Sequence, residues 1–185
     1  MITTKHTMVA LVEDKPGVLN RIASMFRRRG YNISSLAVGN SEMPDLSRMT
    51  FVVDGDDATV EQVTKQLYKL IDVVRVTDLS NEEIVTREMA LVKVRATAQI
   101  RSEIIQIVDI FRANIVDVSP DTLIIEVTGD EDKIQSLLEM LKPFGVREVM
   151  RTGRVAMIRG GAAAQGGEPG RTGRNGSDAQ KAAGQ

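Results

Sequence analysis

A chain of 185 residues that is 42% hydrophobic, with 24 Lys and Arg against 25 Asp and Glu, has the material for one or two packed domains and is neither a disordered nor a membrane protein. No apolar run approaches the roughly 20 residues that cross a bilayer, no signal-like segment opens the chain, and a net charge of −1 gives no global attraction to nucleic acid, so a cytoplasmic protein is expected. Cysteine is absent, which removes disulfides, thiolate nucleophiles and Cys-ligated zinc, and the single histidine, His6, reads as a solvated residue of a frayed N-terminus, without the orienting partner that a catalytic histidine needs.

The first element is a strand, Met8 to Val12, whose unbroken apolar run suits a central position in a sheet. The turn Glu13-Asp14-Lys15-Pro16-Gly17 follows it and opens a helix from Pro16 to about Arg29. Pro16 loses nothing at a first helical turn, Gly17 allows close backbone approach, and the N–H groups of Gly17, Val18 and Leu19 at the positive end of the helix form a seat for a carboxylate or phosphate. Val18, Leu19, Ile22, Met25 and Phe26 recur at helical spacing, and Gly30 is the stop signal. Arg27-Arg28-Arg29 in the last turn offsets the helix dipole.

Tyr31 to about Val38 and Arg48 to Val53 read as a hairpin with a long loop, Gly39 to Ser47. Asp54-Gly55-Asp56-Asp57 is a turn and N-cap for a helix striped by Val60, Val63, Leu67 and Leu70, and Val73 to Val76 is the fourth strand. The same order then returns: strand Met89 to Val94, helix Ile100 to Phe111, hairpin Ile115 to Val118 and Leu123 to Val127, a helix striped by Ile134, Leu137, Leu138 and Leu141, and strand Val146 to Met150. Asp130-Glu131-Asp132 caps the last helix and is not a metal cluster. The fold class is therefore α+β, two tandem ferredoxin-like βαββαβ sandwiches over residues 1–81 and 82–159, followed by a Gly/Ala-rich tail, residues 160–185, expected to be disordered.

An RNA-recognition module shares the βαββαβ order, but it stacks bases on exposed aromatics of its central strands, which here carry Met8, Val9, Ala10, Leu11, Met49, Phe51 and Val53. If two such units pair side by side, Asn32 of one chain comes near the Asp14 turn of the other.

This combination resembles the ACT domain. Met8 to Ser35, Asp45-Leu46-Ser47-Arg48-Met49-Thr50, Gln66 to Val73 and Arg87 to Val94 together are similar to the small subunits of acetolactate synthase (acetohydroxyacid synthase), over residues 1 to about 159. The resemblance implies a non-enzymatic regulatory subunit of a transferase complex, a homodimer through its ACT domains that activates the catalytic large subunit of branched-chain amino-acid (valine, leucine and isoleucine) biosynthesis and confers feedback inhibition by valine. Thiamine diphosphate, Mg²⁺ and FAD would belong to the large subunit; no cofactor or metal is implied for this chain, and no nucleic acid or membrane partner.

By the same resemblance, valine would sit between two chains, touched by Asp14, Gly17, Val18 and Leu19 of one and by Asn32 and Ile33 of the other, while the loop ending at Ser47 and Arg48 would help contact the large subunit. The chemistry suits a zwitterion: turn amides for its carboxylate, Asp14 or Asn32 for its ammonium, and Ile33 for its isopropyl group. Family members often carry Asn or another polar residue where this chain has Asp14, and a full charge there favours the ammonium more strongly. The alternative class is an amino-acid-sensing ACT-domain transcription regulator, against which stands the lack of a helix-turn-helix with a basic recognition face.

Overall fold

The computed structural model describes residues 4–160. In chain order the elements are β1 (Thr4–Glu13), α1 (Val18–Arg29), β2 (Ile33–Asn40), β3 (Leu46–Gly55), α2 (Asp57–Leu67), β4 (Val73–Asp78), β5 (Ile84–Arg95), α3 (Arg101–Ile110), β6 (Asn114–Val118), β7 (Thr122–Gly129), α4 (Glu131–Leu141), a 3₁₀ turn at Lys142–Phe144, β8 (Val146–Arg151) and β9 (Val155–Ile158). They form two antiparallel sheets ordered β2-β3-β1-β4 and β6-β7-β5-β8, the expected pair of βαββαβ units.

Alternation decides which side chains enter each core. On the helix side of the first sheet Met8, Ala10 and Val12 of β1 and Met49, Phe51 and Val53 of β3 meet Val18, Ile22, Met25 and Phe26 of α1 and Val60, Val63 and Leu67 of α2. Phe26 stands edge-on to Phe51, ring centroids 5.5 Å apart, a geometry that aromatic quadrupoles favour. The second core repeats the plan with Val92, Val94, Ile104, Ile125, Ile134, Leu137 and Leu141, all fully enclosed. Each such side chain contributes roughly 1.5–3 kcal/mol by burial, which is ample to hold the helices on their sheets.

Four expectations need correction. Helix α1 begins at Val18, not Pro16, because Gly17 takes a left-handed conformation (φ 90°) that ends the turn before the helix starts. His6 is not frayed: β1 extends back to Thr4 in register with β3 out to Gly55, which leaves His6 only 4% exposed. Its Nδ1 lies 3.0 Å from Ser80 Oγ, and because that hydroxyl donates to Asp78 Oδ1, the hydrogen between them belongs to the imidazole. The hairpin loop is shorter than Gly39 to Ser47, since β2 runs to Asn40 and β3 begins at Leu46. Finally, β9 was not foreseen; it pairs with Ile84 to Arg87, an extension of β5 beyond the expected strand.

No helix among the described residues is long and apolar enough to cross a membrane. The tail expected to be disordered lies, from residue 161 on, outside the described residues.

Candidate functional site

The turn between β1 and α1 is braced from three sides. Glu13 N–H donates to Asp72 O (2.9 Å), Asp14 N–H donates to Asp45 O (2.8 Å), and the Arg21 guanidinium pairs with the buried carboxylate of Asp72 at 2.5 Å. Lys15 pairs with Glu13 at 2.9 Å, and the hydrogen bond and charge of that carboxylate hold its ammonium above the ordinary lysine range. The carboxylate of Asp14 is exposed and has no ion-pair or hydrogen-bond partner among the described residues.

Gly17 gives α1 no side-chain cap, and the first helical turn holds no acidic residue. At φ 90° a residue with a Cβ is strained there, although a Cβ would meet nothing within 4 Å, so the requirement is conformational and the space beside the turn is open. Arg21 N–H makes the first helical bond, to Gly17 O (3.0 Å), which leaves the N–H groups of Val18, Leu19 and Asn20 without intrahelical acceptors; that of Val18 reaches Lys15 O only at 3.4 Å. The donors available for an anion therefore lie slightly further along the chain than the sequence suggests. Helices α2 and α4 differ, because Asp56 and Asp130 accept from Thr59 N–H (2.8 Å) and Lys133 N–H (2.9 Å) and close their N-termini. Val18 points into the core, whereas Leu19 is 48% exposed.

Asn32 and Ile33 lie elsewhere. Asn32 Nδ2 donates to Asp54 Oδ2 at 2.7 Å, which leaves its amide oxygen to accept, and half-buried Ile33 opens β2 against the first core. Asp54 pairs with Lys5 in the β1–β3 ladder, and Glu13 pairs with Leu46 at its other end, so Asn32 and the Asp14 turn stand at opposite ends of one sheet, about 30 Å apart at ~3.4 Å per residue. One chain does not bring the two halves together. Strand β2 is an edge strand, and antiparallel pairing of two β2 edges about a two-fold axis would set the start of one against the far end of the other, next to the Ser41 to Asp45 loop whose Asp45 carbonyl holds the Asp14 turn.

Sequence reasoning missed Asp54 and Asp45. The sequence pattern shows Asp54 only as a turn residue, and Asp45 takes a left-handed conformation (φ 60°) that lets its carbonyl face Asp14. Ser47 lies within β3 and is buried; Arg48 beside it is the member of that pair that reaches the surface, where it grips both oxygens of Glu42 at 2.8 and 2.9 Å. Glu42 is held below the usual carboxylate range by its own backbone N–H and by Arg48. Among the described residues no group of three or more His, Cys, Asp or Glu is placed to hold a metal ion.

Comparison with known proteins covers both units. Residues 8–75 match the family described as the AHAS small subunit-like ACT domain, and residues 87–160 match the family described as the small subunit of acetolactate synthase. A probable acetolactate synthase small subunit of Archaeoglobus fulgidus is 56% identical over 156 residues, 84% of this chain and 98% of that one. The acetolactate synthase small subunit of Mycobacterium bovis is 53% identical over 155 residues, 84% of this chain and 92% of its own length. The crystal structure of an acetolactate synthase small subunit from Thermotoga maritima superposes with a TM-score of 0.80 at 48% identity, covering 85% of this chain and 99% of that one.

Proposed function

The chain belongs to the family of acetolactate synthase small subunits, and from that premise we propose that it dimerises through its β2 edges, stimulates the catalytic large subunit and imposes feedback inhibition by valine. The observation that supports this reading is that an uncapped, open helix start at Gly17 and a polar Asn32–Asp54 pair stand at opposite ends of the first sheet, so that a site using both needs two chains.

In the paired site the effector carboxylate lies against the N–H groups at the start of α1, where the helix dipole favours a negative charge. Its ammonium lies between the free carboxylate of Asp14 and the Asn32 amide oxygen of the other chain, with Asp54 adding negative potential behind that amide. The isopropyl group fits between Leu19, exposed on one chain, and Ile33 of the other. Binding across the pair favours one arrangement of the dimer, and a coupling of ~1–3 kcal/mol to the catalytic subunit gives a useful inhibition range. Thiamine diphosphate, Mg²⁺ and FAD are assigned to the large subunit.

The test is acetolactate formation from pyruvate by the large subunit of the same organism, alone, with this chain, and with this chain plus valine. A rate raised by the chain and lowered again by valine is expected. No change in either arm, with the two proteins shown to associate, would overturn the reading.

A further inference from the structure

The first sheet has two faces, one under α1 and α2 and one that ferredoxin-like folds leave open. Here the open face is covered: Thr7 and Val9 of β1 and Thr50 and Val52 of β3 are all buried. The cover includes the two-stranded ribbon of β5 and β9, which together with β2 and β3 borders an apolar cleft of about 370 Å³.

The C-terminal unit meets the first sheet at the β8–β9 turn, and the fit there is tight. Gly153 (φ 83°) sits so close to β2 that a Cβ on it would lie 2.7 Å from the Leu36 carbonyl oxygen and 3.1 Å from Ser35 Oγ. Arg154 N–H donates to Ser35 Oγ at 2.8 Å, while its guanidinium spans from Thr7 Oγ1 (3.1 Å) on β1 to Glu131 (2.5 Å), the first residue of α4. Lys5 of β1 reaches the same carboxylate at 2.8 Å. The neighbouring cleft of about 330 Å³ is charged, but Lys5 and Arg154 pair with Glu131 and Arg151 pairs with Glu88, so this is a joint between parts more than a vacant seat for a ligand.

The position of the joint on β2 is what matters. Ser35 and Leu36 follow Asn32 and Ile33 along the strand, separated from them by a register shift between Ile33 and Ser35 in the β2–β3 ladder. A bulge is a place where a strand can change its bend locally, and beyond it the backbone meets Gly153 with no slack. Close-packed contacts transmit a small displacement because they have no room to absorb it.

We infer that the Thr152 to Arg154 turn is the element through which occupancy at the start of β2 reaches the C-terminal unit, with Ser35, Gly153, Arg154 and Glu131 as its working parts. The inference rests on the effector reading above and names the regulation of that same site. Ser35 and Arg154 are positioning residues: neither belongs to the set assigned to touch valine.

Ser35→Ala and Arg154→Gln, each in the full chain, separate transmission from binding. Three readouts are needed: binding of labelled valine by equilibrium dialysis, stimulation of the large subunit, and its inhibition by valine. The expected result is binding within about threefold of the unsubstituted chain, stimulation retained, and the inhibition reached at saturating valine cut to less than about half, with Arg154→Lys recovering part of the loss because it restores the charge facing Glu131. Inhibition unchanged in both variants would overturn the inference, and so would binding, stimulation and inhibition falling in parallel, which is the mark of a structural role. An unsubstituted complex that valine does not inhibit would overturn the effector reading and this inference with it.

Discussion

The two units share one topology and treat its first turn in opposite ways. In the N-terminal unit Asp14 N–H donates to Asp45 O, and in the C-terminal unit Ala96 N–H donates to Asp121 O, so the two turns occupy equivalent places. After the first, Gly17 starts the helix without a cap and the space beside it stays open. After the second, Thr97 O takes the N–H groups of Ile100 and Arg101, and the Arg101 guanidinium folds back onto Ala96 O (3.0 Å), Ser119 O (2.7 Å) and Pro120 O (2.7 Å). A cation of the chain itself thus occupies the second turn. Helix α3, like α1, starts without a side-chain cap, so what distinguishes the two turns is the guanidinium that fills the second and the open space beside the first.

The strongest way to break this contrast is Gly17→Asp, which sets a carboxylate where the proposed effector carboxylate would lie and strains a left-handed position. Valine inhibition should vanish, a loss of the whole coupling of ~1–3 kcal/mol, while stimulation of the large subunit persists; dose–response curves on the reconstituted enzyme measure both.

Arg101→Met attacks the other side. It strips three carbonyls of a charged donor and should lower unfolding free energy by about 2 kcal/mol, read as a shifted urea midpoint, with the valine response unaltered.

Smaller effects sharpen the distinction between capped and uncapped helices. Asp56→Ala and Asp130→Ala should each cost about 1 kcal/mol in chemical denaturation, because each removes the only side-chain acceptor at its helix start.

The smallest concerns pH at the joint between the units. Glu131 is held below the usual carboxylate range, first by its hydrogen bond from Lys5 and then by the charges of Lys5, Arg154 and Arg151, against an opposing effect of burial. Its stabilisation is therefore present above the ordinary carboxylate value of about 4.3 and is lost as pH falls through the depressed one. Denaturation midpoints of the unsubstituted chain and of Glu131→Gln should differ at pH 7 and converge in acid.

These residues also show what a sequence makes visible. Helical stripes such as Val60, Val63 and Leu67, and caps such as Asp56, act within a turn or two of themselves, so the element order and both cores could be read directly. His6, Arg101 and β9 could not. The environment of His6 is set by β3 and by Ser80, that of Arg101 by carbonyls at Ser119 and Pro120, and β9 is a strand only because an extended β5 lies beside it. Of the candidate site, the Gly17 turn was legible because a turn is local. The role of Asp54 behind Asn32 was not, since it depends on the β2–β3 register.

The separation of Asn32 from the Asp14 turn along one sheet has a genetic consequence. If each whole site in a two-fold dimer takes its turn from one chain and its asparagine from the other, two different defects can complement. A dimer that combines a chain damaged at Gly17 with one damaged at Asn32 concentrates both lesions in a single site and leaves the second intact. Random reassociation of the two defective proteins in equal amounts then yields about half mixed dimers and about a quarter of all sites whole. Feedback would return in a cell carrying both alleles, though neither allele supplies it alone.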